Sequence, residues 1–352
     1  FDEAIVSQKN IENLIGATQI PLAVTTPIKI EGQFARGEFY IPMATTEKSL
    51  VASTSRGCRA LTLSGGVRTR ILQDKMTRAP LFKIRSVDEG LIVKGWIENN
   101  LDVLQNEISK NSAYTRLEGV RTWITGRNLF TRFEFTTGDA MGMNMATRAT
   151  DIICRFLLNR FPNLEWIAIS SNMCVDKKPS AINFIEGRGK TVIAEAELPA
   201  EVVSMVLKTD VEALEEVNYR KNLIGSAMAG SLGFNAHFAN IVAAIFIATG
   251  QDVAQVVSGS MGFTLLEKGE GDPPSLHASV TMPTLEVATV GGGTRLESQR
   301  DALDLLGVRG TGNPPGTNAK KLAEIIAATV LAGELSLLSA QAEHTLAKAH
   351  SV

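Results

Sequence analysis

The spacing of apolar positions changes several times along the chain, and each change marks an element. Residues 235–249 are apolar nearly all round, with Phe238, Ile241, Val242, Ile245, Phe246 and Ile247 in close succession. A helix without a polar face must be buried on every side, so this stretch predicts a central core helix, ended by Gly250. A second pattern occupies residues 80–169. Residues 81–85 suit a strand, and Leu91, Ile92, Trp96, Leu101 and Leu104 space a helix over 87–107. Two strands follow at 116–125 and 128–135, joined by Gly126-Arg127, then a helix over 141–160 and a strand over 164–169. The order βαββαβ is that of a split-βαβ, ferredoxin-like unit.

Outside that block, a strand over 39–44 leads to an apolar helical stretch from Leu50, and a strand over 191–198 leads to a helix over 201–208. A strand over 284–290 runs into Gly291-Gly292-Gly293, and residues 1–16 read as a short helix stopped by Gly16. Two helices, 319–331 and 335–350, are predicted to close the chain. The fold class is therefore α+β: a large mixed domain around a buried central helix, with a smaller ferredoxin-like unit.

Composition narrows the function. At 352 residues the chain can form more than one domain. A net charge of −2 without a long basic run gives no electrostatic footprint for nucleic acid. The longest apolar run, 241–248, is far short of the ~20 residues that cross a bilayer, so no membrane contact is expected. Cys58, Cys154 and Cys174 are odd in number and widely spaced, which predicts reduced thiols in a cytoplasmic setting and no metal site. The chain opens on Phe1, which leaves room for an upstream anchor in the parent gene.

The richest chemistry lies at Ser170–Asn183, where Asp176-Lys177-Lys178-Pro179 follows an apolar strand. A proline-held turn at a strand end can present a fixed ammonium, although alone it also reads as a solvated surface turn. Four further motifs accompany it: Ala44–Ser53, Gly138–Met145, Gly250–Gln255 and Thr289–Thr294. Together and in this order the five resemble the catalytic portion of the 3-hydroxy-3-methylglutaryl-CoA (HMG-CoA) reductases, of the NADPH-dependent class I type. The resemblance spans nearly the whole chain, from about residue 12 to 350.

The resemblance implies roles. Glu47 would give a proton to the aldehyde-level intermediate, which needs a carboxyl still protonated near neutrality and hence burial or a like-charged neighbour; Asp252 is the candidate neighbour. Alone, Glu47 also reads as a helix-start acid. Lys177 would stabilise negative charge on the thioester oxygen. His350, in Lys348-Ala349-His350, would protonate the departing CoA thiolate. Arg78, Ser170, Asp176, Lys178 and Lys221 match substrate contacts. His237 and Asn240 share a helix face and match positions near the lysine–carboxylate cluster, with a buried structural pair as the other account. Ser53, Arg56 and Lys208 match CoA contacts.

For the cofactor, no G-x-G-x-x-G opens a βαβ unit. The resemblance instead makes Asp139, Met141, Gly142, Met143 and Met145, at a helix start, and Val290 and Gly291 the dinucleotide contacts; the methionines alone would also suit a core. Thr115-Arg116-Leu117 stands where the family has Ser-Arg-Phe, keeping the guanidinium of Arg116 for the 2′-phosphate of NADPH and losing the aromatic. The implied domains are 1–79 with 169–352 for HMG-CoA and an inserted 80–168 for NADPH. The implied assembly is a homodimer or dimer of dimers with the active site at the interface. An NAD-linked degradative reductase and a non-catalytic CoA-ester-binding protein are the alternative readings.

Overall fold

The computed structural model describes residues 3–112 and 114–343. Apart from the small pair Leu22–Val24 with Pro42–Ala44, its strands form one sheet in two parts, joined by the strand Val67–Arg78. The first part of that strand pairs antiparallel with Arg188–Leu198, from Arg68↔Glu195 to Lys75↔Gly189. Beyond Arg188–Leu198 lie Pro274–Leu285 and then Gly262–Gly271, a long hairpin that the sequence reading did not foresee. Its last residues, Met76 to Arg78, pair instead with Asn128–Thr136. That strand has Arg116–Thr125 on one side and Leu81–Lys83 on the other, and Leu81–Lys83 also pairs with Glu165–Ala168. Every pairing in this second part is antiparallel.

Each part of the sheet covers its own core. The larger cluster includes Ile28, Ile41, Met43, Val192, Phe238, Phe246, Met282 and Leu331. The smaller includes Met76, Phe82, Val93, Phe133, Ile153 and Leu157. The apolar helix Phe238–Thr249 lies in the larger core, as its pattern requires, and Gly250 ends it at φ 69°. The strand Val67–Arg78 runs without interruption almost to residue 80, so the two parts share a backbone element as well as a boundary.

Three helical expectations are corrected. The stretch 87–107 is two helices, Val87–Asn99 and Leu101–Ser109, because Asn100 turns its amide back to the Trp96 carbonyl (2.7 Å). The stretch 201–208 is mostly a π-helical turn, Val203–Leu207, closed by Lys208 at φ 64°. The two closing helices are one through Ala342, Thr317–Ala342, with eighteen buried residues. Gly333 lies inside it, where a side chain would strike Ile241 at 2.7 Å, and with no proline the helix continues through. This helix is long and apolar enough to cross a membrane by length and composition, yet 94% of its apolar window is buried inside the protein.

The helix Leu50–Leu63 packs on Thr317–Ala342 at Gly57, where an added Cβ would meet the Ala332 carbonyl oxygen at 1.9 Å. The backbones can approach only because Gly57 has no side chain. A Gly57→Ala substitution should therefore force the helices apart and cost about 1–3 kcal/mol or more, read as a lowered denaturant midpoint. An unchanged midpoint would mean that the contact relaxes freely.

Candidate active site

The turn after Glu165–Ala168 brings the predicted lysine to a carboxylate. Lys177 Nζ lies 2.8 Å from Asp252 Oδ2, both side chains part-exposed. Asp252 is held from behind: it begins the short helix Val253–Gln255 and accepts the Ala254 N–H at 3.2 Å. Three residues on, Gln255 Nε2 donates to Asp176 Oδ1 at 2.9 Å. Burial would raise the Asp176 carboxyl, but Arg188, Gln255 and Lys177 together hold it below the usual carboxylate range.

Glu47 and Asn240 form the second contact, with Asn240 Nδ2 donating to Glu47 Oε2 at 2.8 Å. Asn240 is presented by the first turn of the central helix, so the buried helix aims one polar group outward. Glu47 is exposed, and the burial expected of a proton-donating carboxyl is not provided by the described residues of this chain. His237 donates its backbone N–H to buried Glu334 (2.7 Å), while its ring Nε2 is buried without a partner. Lys221 sits on the π-helical stretch Asn218–Gly225 and donates to Asn222 Oδ1 at 2.9 Å; burial lowers its ammonium below the ordinary lysine value against the pull of Glu334.

Arg78 is half-buried, with Nε unpartnered and Nη1 4.0 Å from Cys174 Sγ. Ser170 Oγ lies 3.2 Å from the same sulfur. Burial alone would raise the Cys174 thiol, but Ser170, Arg78 and Arg188 bring it below its ordinary value. All three cysteines are free and buried. Lys178 is exposed and reaches only the Asp176 carbonyl.

A cleft of about 690 Å³ opens beside Asp252, walled by Met141, Gly142, Met143, Val290 and Gly291. Its floor depends on Gly250, where a Cβ would strike the Gly293 carbonyl oxygen at 2.3 Å. Met145 also lines a second hollow of about 670 Å³ that reaches Thr115 and Arg148. Thr115 in turn lines a third, of about 420 Å³, beside Arg116. The three share lining residues, Met145 and then Thr115, and so follow one another as a groove from Asp252 to Arg116. Arg116 and Arg148 have no ion-pair partner among the described residues.

Three expected contacts are used elsewhere. Asp139 is absent from the groove wall; its carboxylate accepts the N–H groups of Gly312 (2.9 Å), Gly316 (2.6 Å) and Ala319 (2.9 Å), capping the helix Thr317–Ala342 from a remote loop. Ser53 Oγ and Arg56, expected at CoA, dock on the end of the same helix: Ser53 lies 2.8 Å from Ser336 Oγ, and Arg56 donates to Ser336 and Ser339. Gly142 is the left-handed start of its helix at φ 99°, closely packed on Thr137. Lys208 is exposed at its π-turn end. His350 lies outside the described residues. Among the described residues, no group of three His, Cys, Asp or Glu side chains is placed to hold a metal.

A family model described as hydroxymethylglutaryl-coenzyme A reductase matches residues 1–352. The chain belongs to this family. It is 58% identical to the 3-hydroxy-3-methylglutaryl-coenzyme A reductase of Pyrococcus horikoshii, over 98% of this chain and 83% of that protein. It is 51% identical to the reductase of Zea mays over 99% of this chain, which spans 60% of the maize protein. The fold is similar to that of a class II reductase from Streptococcus pneumoniae solved with bound NADPH (TM-score 0.74, 20% identity), covering 96% of this chain and 79% of that one.

In this reductase-family chain, sequence reasoning missed the groups beneath the turn. Arg132 is buried and donates to the Met173 carbonyl, Asn183 Oδ1 and the Gly187 carbonyl, at 2.9–3.0 Å. Arg188 is fully buried and paired with Asp176 and Glu286. Neither lies in a spacing pattern; the one available signal was a lone arginine in Gly187-Arg188-Gly189. Gln255 was in view at the end of a quoted motif, without an assigned role.

The capping geometry makes Asp139 testable. Asp139→Ala should lower the stability of the ligand-free protein by about 2 kcal/mol, measured by denaturant titration. If ligand-free stability is unchanged while NADPH binding weakens, the carboxylate is a ligand contact and its capping is incidental.

Proposed function

We propose that this chain reduces HMG-CoA to mevalonate and CoA, with two NADPH as hydride donors. The observation that carries this reading is the Lys177–Asp252 pair at the open end of a groove that runs to Arg116. The groove suits a dinucleotide: an apolar wall of methionines, the start of a long helix, and two uncompensated guanidinium groups at its far end. Met141, Met143, Met145, Val290 and Gly291 would hold NADPH, Arg116 would grip its 2′-phosphate, and the cofactor when bound supplies hydride. The unit 80–168 is then the NADPH-binding domain and the remainder the HMG-CoA-binding domain.

Lys177 would place its ammonium at the thioester oxygen, where negative charge grows as the carbon gains hydride. Asp252 keeps that ammonium in place. The resulting hemithioacetal expels CoA as a thiolate, which His350 would protonate. Glu47, oriented by Asn240, would give its proton to the alkoxide formed when the aldehyde is reduced. Arg78, Ser170, Lys178, Lys221 and His237 would hold the free carboxylate end of the acyl chain. Ser53, Arg56 and Lys208 would meet CoA, after Ser53 and Arg56 leave Ser336.

Glu47 and Lys177 are exposed in the single chain. A proton donor near neutrality needs burial, so a partner subunit covering the site, in a homodimer or dimer of dimers, accounts for this exposure. Three free buried thiols and a long apolar helix packed largely inside the protein fit a cytoplasmic enzyme.

The test is nicotinamide oxidation by the purified chain with HMG-CoA, offered NADPH and NADH in turn. No oxidation of either would overturn the reading, and a clear preference for NADH would favour the NAD-linked one. Lys177→Ala should cost about 10²–10³ in turnover with HMG-CoA; near-normal turnover would remove Lys177 from the chemistry. Arg116→Ala should raise KM for NADPH well above any change for NADH, because only the former carries the 2′-phosphate. Equal changes would place the phosphate elsewhere, with Arg148 the next residue to examine.

A further inference from the structure

One guanidinium sits where four segments of the site meet. Arg188, the first residue of the strand Arg188–Leu198, has no exposed side-chain surface. Its Nε donates to Thr77 Oγ1 (3.2 Å), Nη1 to Glu286 Oε1 (2.7 Å) and Nη2 to Asp176 Oδ1 (3.0 Å), with the Met143 sulfur also beside Nη2. Each partner adjoins a group with a role in the reading above. Thr77 precedes Arg78, Asp176 precedes Lys177, Met143 opens the cofactor helix, and Glu286 leads to the groove wall at Val290.

The turn that Arg188 holds is not one that relaxed backbone would choose. Val175 has φ 46° and Lys177 φ 59°, in the left-handed region that costs a non-glycine residue on the order of 1–3 kcal/mol. Such a conformation persists only where its surroundings over-determine it, and three further contacts add to Arg188. Arg132 donates to the Met173 carbonyl, Asn183 to the Val175 carbonyl, and Gln255 to Asp176. Arg188 is the member of this set that also touches the cofactor helix and the strand carrying Arg78. A single buried guanidinium beside two acids is stable only while its charge is met. Asp176 is part-exposed and shared with Gln255, so fully buried Glu286 is the dedicated partner.

We infer that Arg188 is a positioning residue, fixing the Lys177 turn against the cofactor helix, with Glu286 as its buried counter-charge. The inference rests on the reductase reading. It adds that substrate side and cofactor side are set relative to each other by one side chain that touches neither ligand. Burial pushes the Glu286 carboxyl up to about 7 although Arg188 pulls it down, and its Oε2 has no partner. The other titratable or charged groups that face this pair are Asp176 and Cys174 from the turn and Arg132 from the strand Asn128–Thr136. Glu286 therefore changes charge near neutrality, and the hold of Arg188 on Asp176 should change with it.

The experiment compares Arg188→Lys and Glu286→Gln with the parent chain. Lysine keeps the charge but cannot reach Thr77, Asp176 and Glu286 at once. Its kcat with HMG-CoA and NADPH should fall at least about tenfold, while both KM values stay within about threefold, because relative placement is lost and not binding. Glutamine keeps the shape and can still accept from Arg188, but it removes the counter-charge and holds the pair in its low-pH state. Between about pH 6 and 8 the parent kcat should carry an inflection that the Gln variant lacks, apart from any due to Glu47 or His350, which both proteins share. A folded Lys variant with parental kcat would overturn the inference. If the Lys variant does not fold, a folded Gln variant with parental kcat across that range overturns it instead. An inactive parent chain would fail the reductase reading itself, which separates the two.

Discussion

A carboxylate taken into an apolar core must find donors or lose its charge, and the helix Thr317–Ala342 carries two that are fully buried. Glu324 accepts the backbone N–H groups of Gln33, Phe34 and Ala35, and Glu334 those of Ala236 and His237 together with the Thr264 hydroxyl. The start of the helix is tied in the same way by Asp139. One internal helix thus dictates where three distant loops must lie. The loop at Ala236 and His237 begins the central helix, whose first turn aims Asn240 at Glu47. The loop at Asp139 leads to the methionines of the groove. The position of the site follows from the need to satisfy buried charge in the core.

The candidate site then lies on the seam between two cores. Lys177 and Asp252 come from the side of the larger core, while the methionine wall starts the helix that packs in the smaller one. Reactions that bring two bound molecules together gain most from this arrangement, since each partner can be held by its own rigid body. It also explains why the pairs are part-exposed in one chain. A seam is open by construction.

Where periodicity is strong, the sequence could be read closely. The strands at 116–125 and 128–136 and the central helix fall within a few residues of expectation, because burial on a known face leaves little freedom in period. The hairpin Gly262–Gly271 with Pro274–Leu285 went unread because its first half carries Glu267, Lys268 and Glu270 toward solvent and its turn holds Asp272-Pro273. The break expected near residue 333 failed for a different reason. Gly333-Glu334 looks like a helix end in one dimension, whereas in three the glycine admits Ile241 and the glutamate reaches backbone across the core. Lys177, Asp252 and Glu47 could be singled out from short motifs, but their pairing could not: Asp252 was expected beside Glu47, whereas it pairs with Lys177 and Glu47 meets Asn240. Arg132, Arg188 and Glu286 could not be singled out, because a buried ion pair joins residues about a hundred positions apart and leaves no local signature.

The strand Val67–Arg78 belongs to both halves of the sheet, pairing with Arg188–Leu198 along most of its length and with Asn128–Thr136 at its tip. A shared strand has a consequence for how such a chain can vary over evolutionary time. Each core can drift by compensated, volume-conserving exchanges among its own members, since sites far apart in separate cores act nearly independently. Residues 74–78 have no such freedom. A change of register there would turn Thr77 and Arg78 to the opposite face and be felt by both cores and by the seam at once. Diversification of this architecture is therefore expected in its two interiors and outer loops, with the short tract that stitches them acting as the fixed point of inheritance.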